Sequence, residues 1–82
     1  MVLDLPALRE ILETVTGRTI ESGSLREETS YLDDLGLTSI QIVDLAMALE
    51  DRYDIEIEDV DLARIRTVSQ TIAYVKTKTQ DS

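Results

Sequence analysis

Three stretches of this chain repeat apolar residues every three or four positions, and none alternates them long enough to build a sheet. Leu5, Leu8, Ile11, Leu12 and Val15 share one helical face. Asp4 precedes them as a cap, Pro6 suits a first turn and Gly17 supplies a stop, so a helix is expected over about 5–16. The strongest periodicity runs over 39–54. A third amphipathic segment over 67–77 is capped by Thr67 and turns Val68, Ile72 and Val75 inward, and a short turn of helix is expected over 59–64. Lys78 to Ser82 reads as a frayed tail. Gly17 to Leu37 has no period, but Ile20, Leu25, Tyr31, Leu32 and Leu35 are available to pin it to a core. The expected fold is all-α over 1–82 as a single domain, with three main helices, one short helix and a long first loop. With no Phe, no Trp and three Tyr among 82 residues, its core must be built from Leu, Ile, Val and Ala. A domain of this size removes only about 60–65% of its unfolded surface from water, so its stability margin is thin.

Composition removes several functions. The chain has 17 acidic and 8 basic residues, a net charge of −9, and neither His nor Cys. It therefore lacks the commonest general base, the commonest zinc ligand and any thiol nucleophile. A charge of −9 repels phosphate backbones and anionic lipid heads, so neither nucleic acid nor membrane is an expected partner. Acidic oxygens are plentiful, but the ordered Asp-x-Asp-x-Asp-Gly spacing of a calcium loop is missing, so no metal site is expected. The expectation is a cytoplasmic, non-catalytic module that works on or with other proteins, and that is itself a monomer.

The charge is concentrated. Between Asp33 and Asp61 stand ten acids and one base, Arg52, while the rest of the chain balances. The central helix of that segment carries two apolar stripes. At about 100° per residue, Ile42, Leu45, Ala46, Leu49 and Tyr53 point one way and form the core face. Ile40, Val43 and Met47 point roughly the other way, alongside Asp44 and Asp51. A surface helix needs only one buried stripe. Coverage of Val43 by the loop or the short helix is as reasonable as exposure, but Ile40 and Met47 among carboxylates fit a ridge that binds a partner. Met suits such a surface because its unbranched side chain adapts to different partners.

The segment Asp34-Leu35-Gly36-Leu37-Thr38-Ser39 leads into this helix. Thr38 and Gln41 match a capping box, which leaves Ser39 at the first helical position with a free hydroxyl. Gly36 allows a sharp turn there and leaves room near the serine. A group attached to Ser39 would lie at the positive end of the helix dipole, which favours a phosphate. With no His or Cys to activate it, this hydroxyl can be modified only by a second enzyme.

Asp34-Leu35-Gly36-x-x-Ser39-Ile40, followed by Val43-Asp44-Leu45 and Met47-Ala48-Leu49-Glu50, resembles the acyl carrier proteins, whose signature is Asp-x-Gly-x-x-Ser ahead of an acidic helix. The similarity extends through Tyr53-Asp54-Ile55-Glu56-Ile57 to Ile72-Ala73-Tyr74-Val75. The resemblance implies a four-helix bundle. It also implies that a phosphopantetheinyl transferase moves phosphopantetheine from coenzyme A onto Ser39, and that the arm's thiol carries acyl or aminoacyl groups as thioesters. It places Ile40, Val43, Asp44, Met47, Glu50 and Asp51 where such carriers meet an acyltransferase, ketosynthase or adenylating enzyme through a basic docking patch. Thr38 stands where fatty-acid carriers commonly have Asp, which points toward a discrete carrier of a polyketide-like pathway. Fatty-acid synthesis is the alternative, and a non-carrying acidic helical adaptor is the rival of another class.

Overall fold

A computed structural model describes residues 3–80. Helix α1 spans Leu5–Thr16, α2 spans Ser39–Tyr53 and α3 spans Val68–Gln80, with a short 3-10 helix at Asp59–Arg64. A second 3-10 turn, Ser22–Ser24, interrupts the long loop and has no apolar periodicity to announce it. The fold is all-α. Among the described residues the only extended pairing is one isolated antiparallel bridge, Ser30 with Thr67.

Each helix begins where its local chemistry dictates. Asp4 accepts from the Ala7 N–H at 3.0 Å, and α1 ends as Gly17 turns left-handed at φ 69° and its N–H returns to the Glu13 carbonyl. The Thr38–Gln41 capping box is complete. The Gln41 N–H donates to Thr38 Oγ1 at 3.2 Å, and the Thr38 N–H donates to Gln41 Oε1 at 3.0 Å. Thr67 and Gln70 repeat the device before α3. Three boundaries differ from those expected, the first being the start of α3 at Val68, with Thr67 left outside as the residue that caps it. Helix α2 stops at Tyr53, because Asp54 takes the left-handed conformation at φ 54° and acts as the C-cap. Helix α3 runs past Thr77 to Gln80, so Lys78 is helical rather than part of a frayed tail; Asp81 and Ser82 lie outside the described residues.

The core consists mainly of aliphatic side chains. Leu8, Ile11 and Leu12 of α1 meet Ile42, Leu45, Ala46 and Leu49 of α2, and Ile65, Val68 and Val75 close the other side. Tyr53, assigned to the core face, is only half-buried, as are Val15 and Ile72. The long loop contributes Ile20, Leu25, Tyr31 and Leu37 to the interior, and Leu35 packs at its edge. Leu32 departs from expectation and stays exposed. The loop has no helical period because bonds to other elements hold it, including Ile20 N–H to Glu13 Oε2 and Arg18 Nη2 to the Leu35 carbonyl. It is also tied to the start of α3. The Val68 and Ser69 N–H groups donate to the Thr29 and Glu27 carbonyls, and the Tyr31 N–H donates to the Arg66 carbonyl. The first two of these bonds satisfy first-turn donors of α3 that a helix cannot pair internally.

Tyr31 and Tyr74 anchor polar links inside this apolar frame. The Thr71 hydroxyl donates to the Thr67 carbonyl at 2.8 Å, so the buried Tyr31 hydroxyl is the donor in its own bond to Thr71. Tyr74 donates to Asp61 Oδ2 at 2.7 Å, fastening α3 to the 3-10 helix. Burial holds the Tyr31 phenol far above its ordinary range. Tyr74 is pushed up to about 12, first by burial and then by its bond to Asp61 and that carboxylate's charge. Both rings therefore keep protons that an unfolded chain releases near pH 10. Stability from this source is fully present below pH 10 and is lost as the pH rises through the native values. A urea-midpoint series from pH 8 to 11.5 is expected to be flat up to about pH 9.5 and to fall steadily beyond it. Tyr74→Phe should make that fall shallower, and an unchanged slope in this variant would contradict the assignment.

Candidate functional site

Asp34-Leu35-Gly36-Leu37 is shaped by its own backbone before it presents anything to solvent. Asp34 Oδ2 accepts the Ser30 N–H at 2.8 Å, and the Asp34 and Leu35 N–H groups both donate to the Ser30 carbonyl. Asp34 thus closes the loop on itself. Gly36 adopts φ 69°, a region that penalises any side chain. Its part is to make that turn: a Cβ added at Gly36 would meet nothing within 4 Å, so leaving room for the serine is not its function. The Leu37 N–H bonds the Tyr31 carbonyl at 2.8 Å and Leu37 is buried, which fixes the chain one residue before the cap.

Ser39 follows as the first residue of α2 and is exposed. Its neighbour Thr38 already caps the helix through Gln41, so the Ser39 hydroxyl is not needed there and makes no hydrogen bond with any described residue. It opens onto a groove of about 320 Å³ between α2 and the 3-10 helix. Leu32, Val43 and Val60 line the groove with apolar surface, and Asp59 and Arg66 are its charged members.

The second stripe of α2 is uncovered. Ile40 is 74% exposed, Met47 58% and Val43 42%, and Asp44 and Asp51 are exposed beside them. Val43 is therefore not sealed by the loop or the short helix. Glu50 differs from the others: it is half-buried, and its Oε2 accepts the Ile57 N–H at 2.9 Å, so one oxygen pins the segment after α2. Every large apolar side chain exposed among the described residues either lines the groove or belongs to this stripe: Leu32, Ile40, Val43, Met47 and Val60. Exposed apolar surface gathered in one area is the mark of a site rather than of random exposure.

Sequence reasoning missed the groove wall. Val60 stands between Asp59 and Asp61, and an apolar residue flanked by acids in a single short turn is a sign of exposure that the text offered. Leu32 and Arg66 carry no comparable local signal, because their place depends on the pairing of residues 29–31 with 66–68. Among the described residues, no group of three or more acids converges as a metal site would require.

The phosphopantetheine attachment site family matches residues 6–75. The meromycolate extension acyl carrier protein of Mycolicibacterium aurum is 42% identical over 72 residues, which cover 88% of this chain and 72% of that protein. The corresponding protein of Mycobacterium tuberculosis (strain ATCC 25618 / H37Rv) is 40% identical over 72 residues, 61% of its own length. The acyl carrier protein of Bdellovibrio bacteriovorus is 34% identical over 73 residues, covering 89% of this chain and 91% of that one. The crystal structure of an acyl carrier protein from Thermotoga maritima superposes with a TM-score of 0.81 at 31% identity, covering 94% of this chain and 87% of that chain. With this match in sequence and in three dimensions, the chain belongs to the acyl carrier protein family, in which phosphopantetheine is the covalently bound prosthetic group. Members of the family carry acyl groups and serve synthesis enzymes rather than catalyse.

Proposed function

We propose that Ser39 is the attachment residue and that the loaded protein presents acyl thioesters to partner enzymes across the Ile40, Val43, Asp44, Met47 and Asp51 ridge. One observation carries this reading: within the matched span, an exposed serine at the head of an acidic helix has a hydroxyl free of structural duty and beside an open groove. The residues suit the group. Ser39 offers an oxygen for a phosphodiester, and the apolar groove gives the arm a wall to lie against. When bound, the group supplies the thiol that a chain without cysteine lacks. A phosphopantetheinyl transferase is the enzyme this reading requires. The meromycolate-extension names of its relatives favour a cargo of growing acyl chains in fatty-acid-type extension over the polyketide pathway suggested by Thr38.

Incubation with coenzyme A and a broad-specificity transferase is expected to add the mass of one phosphopantetheine, read by intact mass spectrometry. Ser39→Ala is expected to add none while keeping its helical circular dichroism, because the cap belongs to Thr38. Mass gained by the alanine variant would move the attachment elsewhere. No gain in either protein would leave the adaptor reading in its place.

A further inference from the structure

The groove beside Ser39 has one cation on its wall, Arg66. This guanidinium makes no hydrogen bond or ion pair with any described residue, in a chain with more than twice as many acids as bases. Four of the other five arginines are spent. Arg9 holds the Ile20 carbonyl, Arg18 the Leu35 carbonyl, Arg52 lies 3.9 Å from Glu10, and Arg64 lies 4.0 Å from Asp61. Arg26 is also unspent, but it is not part of the groove. The backbone of Arg66 is fixed on both sides: its carbonyl accepts the Tyr31 N–H at 3.0 Å, and its N–H donates to Gln70 Oε1 at 3.2 Å. A positioned backbone with an uncommitted, exposed head group is suited to meet a ligand that arrives from outside.

We propose that Arg66 is the counter-ion of the phosphodiester formed at Ser39, holding the root of the arm along the groove. The proposal rests on Ser39 being the attachment residue. Attachment adds a permanent negative charge to a segment that already carries ten acids, one of which, Asp59, shares the groove. A nearby cation offsets that repulsion, and a planar guanidinium can give two parallel bonds to phosphate oxygens where an ammonium gives a point charge. Fixing the root of a flexible arm limits the directions its far end can sample, so Arg66 sets how the cargo is presented.

The test uses the full chain before and after loading, with loading established by intact mass. In the wild type, the Arg66 Nε–Hε cross-peak is expected to shift on loading while that of Arg26 stays in place. The ³¹P resonance of loaded Arg66→Gln is expected to differ from that of the loaded wild type. At low salt, loading should change the melting temperature of Arg66→Gln about 2–4 °C less favourably than that of the wild type. A fully loaded wild type whose Arg66 cross-peak does not move overturns the proposal, as do equal thermal changes on loading in both proteins. A wild type that takes up no mass overturns the attachment reading itself, and Arg66 falls with it.

Discussion

Reversing Asp44 and Asp51 together to Arg is expected to lower kcat/KM for loading by a broad-specificity transferase about 30- to 100-fold at low salt. Both carboxylates are exposed on the same side of α2 as Ile40, Val43 and Met47, and neither forms an ion pair with any described residue. Their removal therefore breaks nothing inside the protein. Against a basic docking patch, two reversed charges turn attraction into repulsion, which costs about 2–3 kcal/mol in the encounter and the docked complex. Two features separate this from damage to the fold. The double variant should melt no lower than the wild type, because it relieves crowding among like charges. The deficit should also shrink several-fold in 0.5 M salt, where screening reaches only a few ångströms. A loading rate that is unchanged at low salt would remove the acidic ridge from the docking surface.

Leu49→Ala is expected to destabilise the protein by about 2–5 kcal/mol, whereas Ile40→Ala, on the same helix, should cost less than about 0.5 kcal/mol. Leu49 is fully enclosed, at 0% exposure, between α1 and the rest of the core. Ile40 projects into solvent. For a chain of this length total stability is about 4–12 kcal/mol, so the first change consumes a large share of it and the second almost none. In thermal melts followed by circular dichroism, the leucine variant should fall by about 10–30 °C. The isoleucine variant should instead show its defect in loading or partner binding. Similar melting losses from both would mean that the two stripes of α2 do not differ in burial as described.

These two stripes show how much of the molecule could be read from its letters. Ile42, Leu45, Ala46 and Leu49 declare a buried face by spacing alone, and Ile40, Val43 and Met47 declare a second face that one small core cannot use. The caps were equally plain, since Asp4, Thr38 with Gln41, and Gly17 act on neighbours three or four residues away. What stayed hidden depends on distant partners. The bond between Tyr31 and Thr71 joins residues forty positions apart, and Arg66 reaches the wall of the groove only because the long loop pairs with the start of α3. The Glu50 carboxylate illustrates the same limit. By position it belongs with the acids proposed to meet a partner, yet its oxygen is bonded to the Ile57 amide, which no periodicity could reveal.

The stitching of residues 27–31 to 66–69 has a mechanical consequence. The loop that delivers Ser39 and the foot of α3 form one hinged plate, so α3 cannot swing away from α2 without dragging the approach to the serine along with it. A displacement at the foot of α3 is thereby passed to the segment that leads into α2.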